Sequence, residues 1–339
     1  MLDRDGTAIP ATLLRPRASV TPLPAWVVMH GITRPGRSHP QLLRFARSIA
    51  STGSAVIVPE VPEWRELDLA PHLTVPTVRS AIDFLRNAPE VHEGPYGLVG
   101  FSFGAPHTVA AAGDPTIRAH VAGALGFGGY CDLERTIHFM MTGHHEHDGQ
   151  ALSLRPDPYG RWIVAANYLA DIPGYGDAKE VASALRRLAA LAGDTGSPAW
   201  SAQYDEAKVQ MRERLVPDHR ELFDLIAPPS DREPDVKHGA ELASLLATAG
   251  KRTQPQIDPV GPLSRVHSQI HILHGRFDHL IPFSEGLRIQ QALASEAESY
   301  ATVTRLFGHS AQDPWPSPMQ AIREVPLLFA ALGRVFATV

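Results

Sequence analysis

The sequence predicts an α/β fold, with a mostly parallel central sheet, helices on both faces and a helical cap insertion. Three observations carry this expectation. Short apolar runs at Ala25–Met29, 55–58 and 96–99 each end at a turn and lead into a helical pattern. Such β-branched runs alternating with helices of about a dozen residues are the mark of a parallel sheet covered on both faces. The alternation pauses after a strand expected near 119–127 and resumes at 269–273 and 300–306. Between them lies a long stretch that reads as helical, with Pro- and Gly-rich joints. The expected division is therefore a core of 1–130 and 267–339 and a helical insertion of 131–266.

The elements follow in order. Helices are expected at about 39–52 and 74–88. In the second, Val78, Ile82 and Leu85 fall at helical spacing, and Asn87-Ala88-Pro89 stops it. A small-residue helix follows Gly104. In the insertion, Asp177 with Glu180 reads as an acidic variant of a capping box. Behind it Val181, Leu185, Leu188 and Leu191 form one apolar face, and Gly193 offers a stop. Further helices are expected within 200–227 and 237–249. The last helix is expected to begin at Ser317-Pro318, a good cap and first-turn pair.

Bulk properties narrow the function. The 339 residues carry a net charge of −5 with a pI near 6.4 and no concentrated basic stripe, so nucleic acid is not an expected partner. The single cysteine, Cys131, excludes an internal disulfide. The N-terminus lacks the apolar core of a signal peptide, and no apolar run approaches the ~20 residues of a membrane span. A cytoplasmic protein is the expectation.

Gly100-Phe101-Ser102-Phe103-Gly104 stands between the strand at 96–99 and the small-residue helix. A Gly-x-Ser-x-Gly motif is weak alone. In a strand–turn–helix setting the sharp turn lifts the central hydroxyl to the carboxyl end of the sheet, where open α/β sheets bind ligands. A serine there needs a base to take its proton and an acid to orient the base. Asp278 lies on the turn after the strand at 269–273, and His309 follows the last strand and a glycine. The expected triad is Ser102, Asp278 and His309. Asp132, just after the strand near 119–127, is a rival acid. There are 17 histidines, so position alone distinguishes His309; His274, His279 and His267 read as structural or rim residues.

The whole pattern resembles the α/β-hydrolase superfamily over roughly 25–130 and 268–336. The stretch from His274-Gly275 through Asp278 to Ile281-Pro282 is similar to that of esterases and peptidases related to prolyl oligopeptidase and dienelactone hydrolase. The resemblance does not cover the insertion. The resemblance implies an oxyanion hole made by the N–H groups of Ile32, after His30-Gly31, and of Phe103, after the nucleophile. It implies a serine hydrolase acting on a small-molecule ester through an acyl-enzyme, with no cofactor. A serine at the elbow argues against haloalkane dehalogenase and epoxide hydrolase chemistry, which uses an aspartate there. The alternatives are an aminopeptidase or amidase, which needs an acid such as Glu146 or Asp171 to hold an amine, and a non-catalytic ligand receptor.

The insertion is expected to overhang the active site, with Trp162 and Tyr168 either lining the substrate pocket or packing in a core. A lateral appendage or a homodimer contact is the other reading. His144-His145-Glu146-His147-Asp148 is rich in metal-ligand types but lacks a helical His-Glu-x-x-His spacing, and no metal site is expected.

Overall fold

The computed structural model describes residues 1–17, 22–306 and 317–339. The chain begins with a hairpin, β1 (Leu2–Arg4) and β2 (Thr7–Ile9). The central sheet then takes β3 (Ala11–Leu14), β4 (Ala25–Met29), β5 (Ala55–Pro59), β6 (Tyr96–Phe101) and β7 (Val121–Phe127). After the insertion, which contributes a second hairpin, β8 (His144–His147) and β9 (Gln150–Ser153), it takes β10 (Gln269–Gly275) and β11 (Ser299–Thr304). The order across the seven-stranded sheet is β11-β10-β7-β6-β4-β5-β3. All neighbours are parallel except β3 and β5, where Ala11 pairs antiparallel with Pro59.

The expected central strands are continuous apolar runs because both their faces are covered. In β4, Trp26 and Val28 enter one apolar core, while Ala25, Val27 and Met29 enter the other. Helices α1 (Pro40–Ser51) and α13 (Pro318–Phe336) close the first face, through Leu42, Ile49 and Val335. The second face is closed by α3 (Thr74–Arg86), which follows the short α2 (Pro62–Arg65), by α4 (Gly104–Ala111) and by α12 (Phe283–Ala292). Their contacts include Val78, Ile82, Val109 and Ile289.

Between β7 and β10 run α5 (Leu133–Thr142), α6 (Pro158–Tyr168), α7 (Lys179–Thr195), α8 (Asp205–Glu213), α9 (Arg220–Ile226), α10 (Val236–Thr253) and the short α11 (Val260–Leu263). Their apolar faces, with Ile137, Leu185 and Leu246, join the same core as α3 and α4. Three details depart from the sequence reading. The segment 144–153 is a β-hairpin, neither helix nor open loop; Glu146 pairs with Ala151 across it. The N-cap of α7 is Ala178, so Asp177 and Glu180 form no capping box. Glu180 instead accepts from the Val216 N–H at 2.9 Å and lies 2.8 Å from His219 Nδ1, tying α7 to the chain that enters α9. Finally, α7 runs through Gly193 and ends at Gly196, which takes the left-handed conformation (φ 65°). Among the described residues, no helix is long and apolar enough to cross a membrane.

Candidate active site

The strands β4, β6, β10 and β11 are parallel, so the residues that follow each one leave the sheet at the same edge. That edge gathers Gly31-Ile32 after β4, Ser102 after β6, Asp278 after β10 and Leu306 after β11.

Ser102 has φ 54°, a left-handed conformation that costs a non-glycine residue energy and must be held by its surroundings. Two backbone bonds hold it. Its N–H donates to Phe127 O at 2.7 Å, and its carbonyl accepts from the Ala105 N–H at 2.9 Å as α4 begins. The flanking glycines are steric requirements. A Cβ on Gly104 would stand 2.4 Å from the carbonyl oxygen of His30, and one on Gly31 would stand 2.9 Å from Ser102 Cβ. The loop after β4 can therefore lie directly against the serine turn only because both positions lack side chains.

His30 fixes that loop from below. Its Nδ1 lies 2.7 Å from Gly31 O, and its Nε2 lies 3.0 Å from the Val61 N and 3.1 Å from Glu60 Oε1. Burial would raise the Glu60 carboxyl. The hydrogen bond and charge of His30, the Arg37 N–H and the charge of Arg65 outweigh this and hold it below its ordinary value. Among the described residues, the N–H groups of Ile32 and Phe103 have no hydrogen-bond acceptor, whereas that of Ser102 does.

Asp278 is buried, and its Oδ1 accepts the N–H groups of Leu280 and Ile281, both at 2.9 Å. The carboxylate thus shapes its own turn, as aspartates do. Oδ2 lies 3.3 Å from His274 Nε2, which also faces Ile281 O at 3.0 Å. Asp132 is placed differently. It is the N-cap of α5, accepting the Arg135 N–H at 2.8 Å. His279 Nδ1 bonds to Arg155 O. His309 lies outside the described residues.

A cavity of about 810 Å³ opens beside Ser102. From the sheet domain, Gly31, Ile32, Ser102 and Phe103 line it. From the insertion, Leu133, Ile137, Met140, Gly160, Ile163 and Val164 line it too. Trp162 and Tyr168 are not among the residues that border it; they are buried, the second of the two expected readings. Trp162 Nε1 donates to Ile226 O at 3.2 Å and Tyr168 OH to Gln254 Oε1 at 2.8 Å, both inside the packing of the insertion. The cavity is bordered instead by their helical neighbours on α6.

Three arrangements carried no usable sequence signal. His107, pushed down to about 3 by burial, lies 2.9 Å from Tyr130 OH, which donates to Ile257 O at 2.7 Å; the Phe103 ring packs on His107. Glu285, fully buried on α12, accepts from the N–H groups of Cys131 and Asp132 and from Arg135 Nε, within 3.0 Å each. His145 of the second hairpin lies between Phe139 and Phe283, with Nδ1 3.1 Å from Ser284 Oγ. Among the described residues no group of three metal-ligating side chains comes together.

The strand order, the single antiparallel edge and the strained turn after β6 define the α/β-hydrolase fold. No family model and no curated protein matches the sequence. Solved structures do resemble the chain. Est1E from Butyrivibrio proteoclasticus is 10% identical, with 98% of each chain covered and a TM-score of 0.49. An acetyl xylan esterase from Paenibacillus sp. R4 is 17% identical over 96% of this chain and 80% of its own, with a TM-score of 0.47. An acylaminoacyl peptidase from Pyrococcus horikoshii is 12% identical over 97% of this chain and 39% of its own, with a TM-score of 0.49.

Proposed function

We propose that the protein is a serine hydrolase that cleaves carboxylic esters, with Ser102 as nucleophile, His309 as general base and Asp278 as the acid that orients it. The observation that carries this reading is Ser102 itself, strained at φ 54° on the wall of an 810 Å³ cavity. His309 removes the Ser102 proton as Oγ attacks the ester carbonyl carbon. The unpaired N–H groups of Ile32 and Phe103 receive the negative charge that develops on the carbonyl oxygen, an interaction worth roughly 3–4 kcal/mol for each donor in the transition state. The tetrahedral intermediate collapses, the ester C–O bond breaks, and the leaving alkoxide takes the proton from His309. Water, deprotonated by the same histidine, then releases the acid and restores the serine. The helices of 131–266 act as a cap that limits the acyl group and shields the acyl-enzyme from bulk water.

An aminopeptidase needs a carboxylate to hold the substrate ammonium. Among the described residues that border the cavity there is none, and Glu146 and Asp171 are not among them. This favours the ester over the aminoacyl substrate. The test is labelling with a fluorophosphonate probe together with hydrolysis of p-nitrophenyl esters and aminoacyl anilides. Labelling and ester turnover that both vanish in a folded Ser102→Ala variant are expected. Undiminished turnover in that variant would overturn the assignment.

A further inference from the structure

Among the described residues, the end of the cavity under α5 and α6 presents no accessible, unpartnered side-chain hydrogen-bonding group; the one unpartnered hydroxyl, that of Tyr159, is itself buried. Thr136 Oγ1 donates to Asp132 O at 2.7 Å. Tyr130 OH is engaged by Ile257 O and His107. The hydroxyl of Tyr159 is buried away from the space, against Gly193 of α7. What remains is Leu133, Ile137, Met140, Ile163, Val164 and Ile257. A hydroxyl, amine or sugar placed there would lose its water and gain no partner, at a cost of several kcal/mol on the scale of transfer to an apolar phase. A hydrocarbon chain loses nothing.

One contact decides how deep this end runs. Met140 lies flat across α6 at Gly160, where a Cβ would stand 2.8 Å from its Cε and 2.9 Å from its Sδ. We infer that this end binds a hydrocarbon acyl chain of the substrate, and that Gly160 and Met140 together set the chain length accepted. The inference rests on the serine-hydrolase reading above and adds the acyl class to it. A methyl group at 160 meets the far end of a flexible side chain, so the fold accommodates it by moving the thioether into the cavity that Met140 borders. Shortening Met140 has the opposite effect and deepens the site.

The experiment measures kcat/KM on p-nitrophenyl acetate, butyrate, hexanoate and octanoate. The wild type is expected to favour hexanoate or octanoate over acetate. Gly160→Ala should lower the octanoate-to-acetate ratio about tenfold or more, the range that one methylene commands in a hydrophobic pocket. Met140→Ala should raise it, and the double variant should restore it towards the wild-type value, which shows that any loss in Gly160→Ala is not a folding failure. A ratio unchanged in all three variants, with an active wild type, would overturn the chain-length assignment and leave the ester reading standing. A wild type that neither turns over any ester nor takes the fluorophosphonate label would overturn both.

Discussion

The carboxylate of Glu285 accepts the N–H of Cys131 at 3.0 Å, joining residues 154 positions apart. It fastens the first turn of the insertion to α12, the helix that begins five residues after Asp278. The same carboxylate takes the Asp132 N–H, Arg135 Nε and, at 3.2 Å, Arg288 Nη1, so four donors converge on one buried acid.

Glu285→Ala should therefore be among the most destabilising single changes in the chain. It leaves two backbone N–H groups and the guanidinium groups of Arg135 and Arg288 without this acceptor, a class of loss that costs about 3–5 kcal/mol. The urea midpoint should fall accordingly, with no change in the slope of the transition. Glu285→Gln keeps an acceptor oxygen and should recover about half of that loss. A loss in unfolding free energy below about 1 kcal/mol for the alanine variant, taken from the midpoint and slope, would show that the insertion is held elsewhere.

The two candidate acids separate cleanly by substitution. Asp278→Asn should lower kcat by orders of magnitude, because a carboxylate fixes the tautomer of its histidine and stabilises the imidazolium, and an amide does neither. Asp132 caps α5, so Asp132→Asn retains a good cap and should change kcat less than threefold. Reversed effects would move the acid to Asp132.

How far the sequence announces this molecule depends on the physical signal each part leaves. The strands β4 and β5 are buried on both faces, so they read as unbroken apolar runs, whereas His271 and His274 interrupt the pattern in the equally buried β10. Both hairpins leave a local turn signal. Asp5-Gly6 and Asp148-Gly149 both place two successive residues at positive φ, the two-residue turn that Asp-Gly favours. The strand before the second turn is a run of four ionisable residues, 144–147, and so carries no polar–apolar alternation. Ser102 stands out because its turn demands glycines at fixed positions. Glu285 does not, since an acid in the first turn of a helix is ordinary, and only the fold brings the Cys131 and Asp132 N–H groups to it. The place of Trp162, in a core and away from the cavity, is open in the sequence for a related reason. Helical spacing says which residues share a face, and leaves open whether that face meets a cavity or another helix.

Gly31→Ala tests the closeness of the oxyanion loop to the nucleophile. The added methyl would stand 2.9 Å from Ser102 Cβ and 3.1 Å from Phe101 O, and neither atom ends a flexible chain. The backbone must shift, carrying the Ile32 N–H away from the position it needs. The expected result is a fall in kcat of about a hundredfold, comparable to losing one oxyanion donor, with KM little changed. An active variant within twofold of wild type would mean that the Ile32 N–H is not used.

The pH dependence of stability should carry the mark of Glu60. Its folded-state carboxyl is held below its ordinary value of 4.5, despite a burial that alone would raise it, by His30, the Arg37 N–H and Arg65. A depressed acid binds fewer protons folded than unfolded. Its contribution is fully present above the unfolded value and is lost as pH falls through the folded one. Glu60→Gln removes that dependence. The wild type should lose stability more steeply than the variant as pH is lowered from 5 to 3, and the two curves should run parallel above about 5.5. The variant should also be the less stable of the two near neutrality, because Arg37 and Arg65 lose a buried charge partner. Because Glu60 sits under His30, and His30 under Gly31, the variant should lose turnover at pH 8 as well, severalfold, through a looser oxyanion loop. Identical acid slopes for the two proteins, measured by thermal melts at closely spaced pH values, would show that another group controls the acid limb.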